Sequence, residues 1–516
     1  MINTKEMKKC VFAALLCAMC LFESVAQDGV KYSNPIIPGF HPDPSVCRVG
    51  GDFYLVNSTF QYFPGVPIFH SRDLVHWQQI GNVLERESQL LLPGAGSWDG
   101  IYAPTIRYYD GTYYMVTTNL SHGGNFFVTA TNPEGPWSDP IKLQQGGIDP
   151  SFYFEDGKCY FVSNPNNTIT LCEINPKTGE QLTESRGIWR GTGGRYPEGP
   201  HIYHKDGYYY LLISEGGTEL AHGLTIARSR NIYGPYESCP SNPILTHCCR
   251  NAQYSKIQGT GHGDFVQDAD GNWWVVFLAY RNYGGSYHHL GRETFLAPME
   301  WKEGEWPVVN GGKPVEATMT VASLPGGDGA ANSIFAKRAS ANKLGPEWIH
   351  IQHPVESNYS VSNGKLHLVA AGTLDENKQP TFVGCRQESP KMSVTTTVDC
   401  SALGKGSKAG VSVYQINDGR ADVYCDGGDV VVKVRIKSLD VELGRLKKAV
   451  KQGKAEIRVD ADEARYHFMC NTANGWKEIG SIECTMLSTE VVGGFTGVII
   501  GMFAEGNGIA TFTLPE

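Results

Sequence analysis

The sequence predicts an all-β protein in which a five-bladed β-propeller is followed by a β-sandwich. Two observations lead to this prediction: a short hairpin pattern recurs five times in roughly the first 320 residues, and short strands at regular spacing fill the remainder. The composition agrees, because 60 glycines and 11% aromatic residues in a chain of 516 are typical of many short strands joined by tight turns. Disordered, collagenous and coiled-coil proteins are excluded.

The recurring pattern is Asp-Gly followed by aromatic or β-branched residues. This dipeptide favours a two-residue hairpin turn, because Asp and Gly tolerate positive φ. The copies are Asp110-Gly111, Asp156-Gly157, Asp206-Gly207, Asp270-Gly271 and the degenerate Gly50-Gly51-Asp52. A Gly-Pro-aromatic turn recurs in the second half of two units, at Gly135 and Gly234. Each unit therefore has about four strands, which is the pattern of a propeller blade.

Domain boundaries follow from changes in these patterns. Lysines at the N-terminus precede an apolar run and the small residues Ser24-Val25-Ala26, so a cleaved signal peptide and a secreted, periplasmic protein are predicted. A glycine-rich segment after Leu324 predicts a linker. The expected units are a signal peptide over 1–26, the propeller over 27–322, a linker over 323–335 and the sandwich over 336–516.

Charge and cysteine content exclude several function classes. The net charge is -9 and no basic block occurs, so binding to nucleic acid or to a membrane is not expected. Three of the 14 cysteines fall in the predicted signal peptide, and the odd number that remains cannot form a complete disulfide framework. A neutral partner such as a polysaccharide fits this balance better.

One residue per unit begins the strand that is expected to line the propeller axis. These residues are Asp43, Ala103, Asp149, Glu198 and His262. Because equivalent positions of blades converge, the three carboxylates should share one pocket. Each Asp could instead cap a turn before proline, but clustering three carboxylates is costly unless their repulsion is used. Hydrolysis of a glycosidic bond uses such a set, with one acid, one base and a third carboxylate that raises the pKa of the acid.

Residues 34–309 resemble glycoside hydrolase family 43. The matching motifs are His41-Pro42-Asp43-Pro44-Ser45, Tyr62-Phe63-Pro64-Gly65-Val66-Pro67-Ile68, Ala103-Pro104-Thr105-Ile106, Ile148-Asp149-Pro150-Ser151, Pro197-Glu198-Gly199-Pro200, Gly261-His262-Gly263-Asp264-Phe265 and Gly291-Arg292-Glu293-Thr294-Phe295. The C-terminal part is similar to the concanavalin-like sandwich of the family's β-xylosidase and α-L-arabinofuranosidase branch. The resemblance implies an inverting mechanism with Asp43 as base, Glu198 as acid, and Asp149 setting the pKa and orientation of the acid.

Four aromatic residues are candidates for contact with the sugar. Phe60, Trp98 and Tyr102 could stack on the sugar face, although most aromatics in the chain must be core. Tyr102 departs from the Trp that is usual before Ala-Pro in the family. Phe495 resembles a sandwich residue that closes the pocket in related xylosidases; an ordinary core Phe is the alternative.

Two charged or ionisable residues complete the predicted site. The resemblance makes Arg292 a ligand of substrate hydroxyls, against the alternative of a salt bridge within its strand. His262 corresponds to a residue that often lies beside a central Ca²⁺ in related enzymes, whereas a hydrogen-bonded core histidine is the commoner situation. No cofactor is expected to be required, and a structural Ca²⁺ in the channel with His262 as ligand is the minority interpretation.

The predicted function is an exo-acting α-L-arabinofuranosidase that acts on plant hemicellulose or its oligosaccharides. A β-D-xylosidase, or a bifunctional enzyme, is the close alternative, because the hydroxyl patterns of the two pentoses nearly coincide. A non-catalytic carbohydrate-binding propeller is the alternative from another class. The presence of all three carboxylates argues against it, since binding alone would not require an acid, a base and a third group that tunes the acid.

Overall fold

The computed structural model describes residues 29–249, 252–326, 339–340, 342–376 and 378–515. It contains a five-bladed β-propeller and a sandwich of two antiparallel sheets, which confirms the predicted fold class. The predicted signal peptide lies outside the described residues, as does most of the predicted linker. Within the described part of the chain, no helix has the length and apolar character needed to cross a membrane.

Each blade is an antiparallel sheet of four strands in chain order, as the repeat predicts. Blade 1 comprises Ser45–Val49, Asp52–Val56, Gly65–Ser71 and Gln78–Leu84; blade 2, Thr105–Tyr109, Thr112–Asn119, Gly124–Ala130 and Ile141–Lys142; blade 3, Ser151–Glu155, Lys158–Ser163, Ile169–Ile174 and Arg186–Trp189. Blade 4 comprises Glu198–Lys205, Tyr208–Glu215, Gly223–Ser229 and Glu237–Ser238, with Leu245–Thr246 added; blade 5, Ile257–Gln267, Trp273–Arg281, Glu293–Glu300 and Val308–Val309.

The hairpin turns show why Asp-Gly marks the blades. In blades 2, 3 and 4 both turn residues have positive φ, as at Asp110 (47°) and Gly111 (78°). Blade 5 differs from the prediction of a two-residue turn, because residues 268–272 form a longer loop. The Asp268 carboxylate accepts hydrogen bonds from the backbone N–H groups of Asp270 and Asn272 and so holds this loop closed.

The propeller is closed by its two ends. Strand Val30–Ser33, before blade 1, pairs with strand Thr318–Val321, after blade 5, with Tyr32 opposite Met319. Both of these side chains are buried in the core of the neighbouring blades. This separate two-stranded sheet ties the segment before blade 1 to the segment after blade 5.

The sandwich has two large sheets with an apolar core between them. One sheet contains Leu439–Leu446, Asp429–Ile436, Gly419–Asp426, Lys408–Ile416, Ile499–Glu505, Phe382–Arg386, Ile349–Ile351 and Tyr62–Phe63. The other contains Tyr359–Ser362, Lys365–Val369, Gly508–Thr513, Lys391–Leu403, Lys454–Asp462, Arg465–Thr472 and Gly475–Glu483. Smaller elements are the pair Ala339–Ser340 and Lys343–Leu344, the 3₁₀ turns Pro165–Asn167, Asn310–Gly312, Glu356–Asn358 and Cys484–Leu487, and the short α-helix Thr489–Val492.

The two domains share a sheet and a buried cluster. Tyr62–Phe63, which belongs to the propeller part of the chain, pairs with Ile349–Ile351 and extends a sandwich sheet. Phe40 and Phe60 from the propeller pack in the same apolar cluster as Phe382 from the sandwich. This continuity holds the loop that connects the helix Thr489–Val492 to the last two strands against the mouth of the propeller.

Candidate active site

The structure brings the axial residues together. Asp43, Asp149 and His262 adopt positive φ (53°, 52° and 43°), a conformation that costs free energy in non-glycine residues and is held where the surroundings enforce it. Ligand atoms of Asp149, Glu198 and His262 lie within 4.8 Å of one another. The Nδ1 atom of His262 is 3.9 Å from Oδ1 of Asp43. Ala103 occupies the fifth position and is buried.

Asp43 is a buried carboxylate with a donor on each oxygen. Nη1 of Arg292 donates to its Oδ1 at 2.9 Å, and the Ser58 hydroxyl donates to its Oδ2 at 2.5 Å. Burial raises the pKa of Asp43, but the charges of Arg292 and His262 and the Ser58 hydrogen bond outweigh burial, so the pKa is lowered. Asp43 is therefore ionised and able to accept a proton.

Glu198 is set up in the opposite way. Burial raises its pKa, and the negative charges of Asp149 and Asp43 raise it further, so that it lies well above the usual value for Glu although Arg292 opposes the change. Asp149 has its own pKa raised to about 6, mainly by burial, with His262 opposing and Asp43 reinforcing the rise. The backbone N–H of Gly199 donates to Asp149 at 3.2 Å, so the residue after Glu198 is tied to Asp149.

His222 lies behind Glu198 and was not predicted from the sequence. It is fully buried, and burial lowers its pKa to about 3, so the ring is neutral. Its Nδ1 is 3.1 Å from the carbonyl of Gly259, which can only accept, so Nδ1 carries the proton. The unprotonated Nε2 is 3.8 Å from Oε1 of Glu198. The side chain therefore adds no positive charge that would lower the pKa of the acid.

The four predicted aromatic residues form one group at the mouth of the pocket. The ring of Phe495 lies 4.6 Å from Trp98, 5.6 Å from Phe60 and 6.1 Å from Tyr102, measured between ring centroids. Phe60 is buried, whereas 51% of Trp98 is exposed. The Tyr102 hydroxyl donates to the backbone carbonyl of Trp98 at 2.7 Å. The sandwich thus supplies one wall of the propeller's pocket.

Arg292 links Asp43 to this wall. Besides Asp43, its Nη1 contacts the hydroxyl of Thr218 at 3.0 Å, and its Nη2 donates to the carbonyl of Phe495 at 3.2 Å. The neighbouring Glu293 pairs with Arg281 instead, at 2.7 Å. Arg292 is therefore salt-bridged, but to Asp43 ahead of the neighbouring blade 1 and not within its own strand.

The residues of the channel do not fit a Ca²⁺ ion, which prefers about six to eight oxygen ligands. His262 offers nitrogen beside two carboxyl groups with raised pKa values. Deeper on the axis, Arg107 donates to both oxygens of Asp264 at 2.7 and 3.1 Å, and Tyr203 donates to the same carboxylate. In the described structure this guanidinium already neutralises the carboxylate that a channel cation would need.

Three functional contacts were missed by the sequence reasoning: Ser58 on Asp43, Thr218 on Arg292, and His222 behind Glu198. None of them occupies the repeated axial position that revealed the carboxylates. All three residues lie in the segment that follows the second strand of a blade. The repeated position at the first strands therefore gave no signal for them.

Family models and known proteins agree with this geometry. Residues 32–307 match the model of glycosyl hydrolases family 43, and residues 340–513 match that of the beta xylosidase C-terminal concanavalin A-like domain. A non-reducing end alpha-L-arabinofuranosidase of Bacteroides ovatus is 40% identical over 495 residues, covering 93% of this chain and 92% of its own length. A xylosidase/arabinosidase of Butyrivibrio fibrisolvens is 39% identical, with 92% and 96% covered.

Solved structures give the same result. The GH43B protein of the Bacteroides ovatus xyloglucan PUL superposes with a TM-score of 0.88 at 38% identity, covering 94% of this chain and 99% of that one. A match over nearly the whole of both chains includes the propeller and the sandwich together. The chain therefore belongs to glycoside hydrolase family 43 and is a glycoside hydrolase.

Proposed function

We propose that the chain is an exo-acting, inverting hydrolase that releases terminal α-L-arabinofuranosyl residues from plant hemicellulose or its oligosaccharides. The observation that carries the chemistry is the opposite protonation of two carboxyl groups in one pocket: the pKa of Asp43 is lowered and that of Glu198 is raised. Two groups whose environments separate their pKa values in this way are a base and an acid.

The roles follow from protonation and contacts. Asp43 takes a proton from a water molecule as the water oxygen attacks the anomeric carbon. Glu198 gives its proton to the glycosidic oxygen as the bond between that oxygen and the anomeric carbon breaks. The charge of Asp149 adds to burial in raising the pKa of Glu198. The hydrogen bond from the backbone N–H of Gly199 to Asp149 orients the chain at Glu198. Because water attacks from the face opposite the leaving group, the configuration inverts.

The exo mode and the sugar rest on the shape of the pocket and on the relatives. The rings of Phe495, Trp98 and Tyr102 pack together, and we infer that this aromatic wall admits only one terminal sugar residue. The similarity of this chain to the arabinofuranosidase of Bacteroides ovatus, at 40% identity, supports α-L-arabinofuranose as the terminal sugar. A β-D-xylosidase or a bifunctional enzyme is the second candidate, favoured by the xylosidase/arabinosidase relative at 39% identity.

We also propose that the chain is exported to the periplasm and requires no metal. The support for export is the lysine-containing, then apolar N-terminus that ends in Ser24-Val25-Ala26. The support for metal independence is the Arg107 guanidinium on Asp264 in the channel. The partner is a plant polysaccharide or oligosaccharide, and neither nucleic acid nor a membrane is involved.

Turnover of 4-nitrophenyl α-L-arabinofuranoside beside the β-D-xyloside tests the proposal. The arabinoside should have the higher kcat/KM, and proton NMR early in the reaction should find the inverted anomer first. Asp43→Asn should lower kcat by about 10²- to 10⁴-fold, the usual contribution of a general base. Asp156→Asn is the matched control, because Asp156 has a similar φ of 50° but lies exposed in a hairpin turn. Retention of configuration would contradict the mechanism.

A further inference from the structure

A buried carboxylate outside the catalytic set binds the loop that leads to Glu198. Glu215 ends the second strand of blade 4 and is only 4% exposed. The backbone N–H of Thr192 donates to both of its oxygens, at 2.9 and 3.0 Å, and the N–H of Gly194 donates to Oε1 at 2.8 Å. The hydroxyls of Thr192 and Thr225 donate to Oε2 at 3.0 and 2.7 Å.

The sequence of the loop is adapted to this carboxylate. Residues 191–194 read Gly-Thr-Gly-Gly, and Gly191 has a φ of +73°. A Cβ at Gly191 would lie 2.5 Å from Oε1 of Glu215, and one at Gly194 would lie 2.9 Å from the Glu215 Cβ. Only glycine allows the backbone to come this close at both positions. Successive N–H groups around one anion form the kind of concavity that elsewhere binds phosphate, and here it encloses a side chain.

The loop is fixed again between this anchor and the acid. The N–H of Gly216 donates to the carbonyl of Arg195 at 2.7 Å, and the Asn164 side chain donates to the carbonyl of Pro197 at 3.0 Å. Tyr196 between them has a φ of 52°, a strained conformation that requires such support. Pro197 is followed by Glu198, which starts the first strand of blade 4 opposite Ser214. Three residues therefore lie between Gly194, which Glu215 anchors, and Glu198.

We propose that Glu215 is a positioning residue for the general acid: its carboxylate holds the loop 191–197 so that Glu198 reaches the glycosidic oxygen. The proposal rests on the role given to Glu198 above. Glu215 itself contacts backbone N–H and hydroxyl groups of the loop and of Thr225, so its effect on the reaction passes through the backbone to Glu198.

The test compares two leaving groups in Glu215→Gln. The amide replaces an acceptor by a donor that faces N–H groups, so the loop should loosen while the size of the side chain is kept. A displaced acid impairs departure of a sugar, which needs protonation, far more than departure of a dinitrophenolate, which does not. We expect kcat to fall about 10- to 100-fold on the oligosaccharide, less than the 10²- to 10⁴-fold that complete loss of a general acid typically costs, and less than about threefold on the dinitrophenyl glycoside.

A matched control and a second variant keep the result clear. Glu237→Gln makes the same change on a 69% exposed side chain of the same blade and should leave both rates unchanged. Thr225→Val removes one donor to Glu215 but leaves the hydrogen bonds from the loop to Glu215 in place. The loss of kcat should therefore be smaller than in Glu215→Gln, and it should again be larger on the oligosaccharide than on the dinitrophenyl glycoside. If Glu215→Gln fails to fold, Thr225→Val alone decides the question.

Hydrogen exchange gives a readout apart from activity. The amides of residues 192 and 194 should exchange faster in Glu215→Gln than in the wild-type protein, while amides of blade 2 should not change. An equal loss on both substrates, or unchanged rates, would overturn the proposal. Failure of the proposed sugar specificity has a different signature, namely no turnover of the arabinoside by the wild-type enzyme. The losses of kcat on the two leaving groups are then compared on the pentoside that the wild-type enzyme cleaves.

Discussion

Arg292 of blade 5 holds Asp43, which precedes the adjacent blade 1, with Nη1 of Arg292 2.9 Å from Oδ1 of Asp43. The same guanidinium donates to the backbone carbonyl of Phe495 in the sandwich. One side chain therefore opposes the rise that burial gives to the pKa of Asp43 in the first domain, and it also holds the backbone of the second. This arrangement gives the sandwich a direct part in the geometry of the active site.

Replacing Arg292 should move the acidic limb of the pH profile. In Arg292→Gln the lowered pKa of Asp43 loses the charge that most strongly opposes burial, so the pKa rises. A neighbouring Arg typically lowers an Asp pKa by about 1 to 3 units, and the acidic limb of kcat/KM should shift to higher pH by about that amount. The measurement is a pH series with a dinitrophenyl glycoside. An unchanged acidic limb would mean that another group is the base.

Replacing Asp149 should move the opposite limb. The charge of Asp149 raises the pKa of Glu198, so in Asp149→Asn that pKa falls and the alkaline limb should shift to lower pH by about 1 unit or more. Asp149 is mostly ionised at the pH of the alkaline limb, because its own pKa is about 6. Asp156→Asn, an exposed turn residue of the same blade, should leave the profile in place. A shift to higher pH would contradict the assignment.

Glu198→Gln should have a strong leaving-group dependence. Its amide cannot supply the proton that a departing sugar needs, so kcat on an arabinose-bearing oligosaccharide should fall by about 10²- to 10⁴-fold. The dinitrophenyl glycoside should lose far less, and the alkaline limb of its pH profile should flatten while the acidic limb persists. An equal loss on both substrates with an unchanged bell shape would move the acid role elsewhere, most simply to Asp149.

Phe495→Ala should weaken substrate binding more than it slows the chemistry. The ring contacts Trp98 and Phe60 and lies under the Arg292 guanidinium at 5.4 Å. An aromatic contact of this kind contributes about 0.5 to 1.5 kcal/mol, which corresponds to a roughly two- to tenfold rise in KM. Tyr254→Ala, at a position that is 92% exposed, is the control. Wild-type KM in Phe495→Ala would place the sugar away from this wall.

Removal of metal ions should leave the enzyme unaffected. The Asp264 carboxylate in the channel is already paired with Arg107, and its remaining capacity is taken by the hydroxyls of Ser45 and Tyr203. Dialysis against EDTA should therefore change neither kcat/KM nor Tm, and added Ca²⁺ should have no effect. A loss of activity that Ca²⁺ restores would require a metal site that the sequence interpretation treated only as a minority possibility.

The sequence by itself determined the architecture and the convergence of three carboxylates in one place. Hairpin signals are local, since Asp110 and Gly111 need only their own positive φ values to mark a turn. The axial position of Asp43, Asp149 and Glu198 is also local, because Asp43 and Asp149 lie two residues before the first strand of their blades and Glu198 starts the first strand of its blade. A repeated fold turns such local positions into one site, and that is why the pocket could be predicted from spacing.

Only the tertiary structure decided what surrounds those carboxylates. Arg292 and Asp43 are 249 residues apart, and neither motif contains a signal for the other. The sequence left open whether Phe495 packs in the sandwich core, and the structure places its ring against Trp98 and Phe60 of the propeller. The pKa values depend on burial and on charges from several blades, and Glu215 holds a loop that precedes it by 21 to 23 residues. These properties arise from distances in space, which a one-dimensional pattern of residues does not encode.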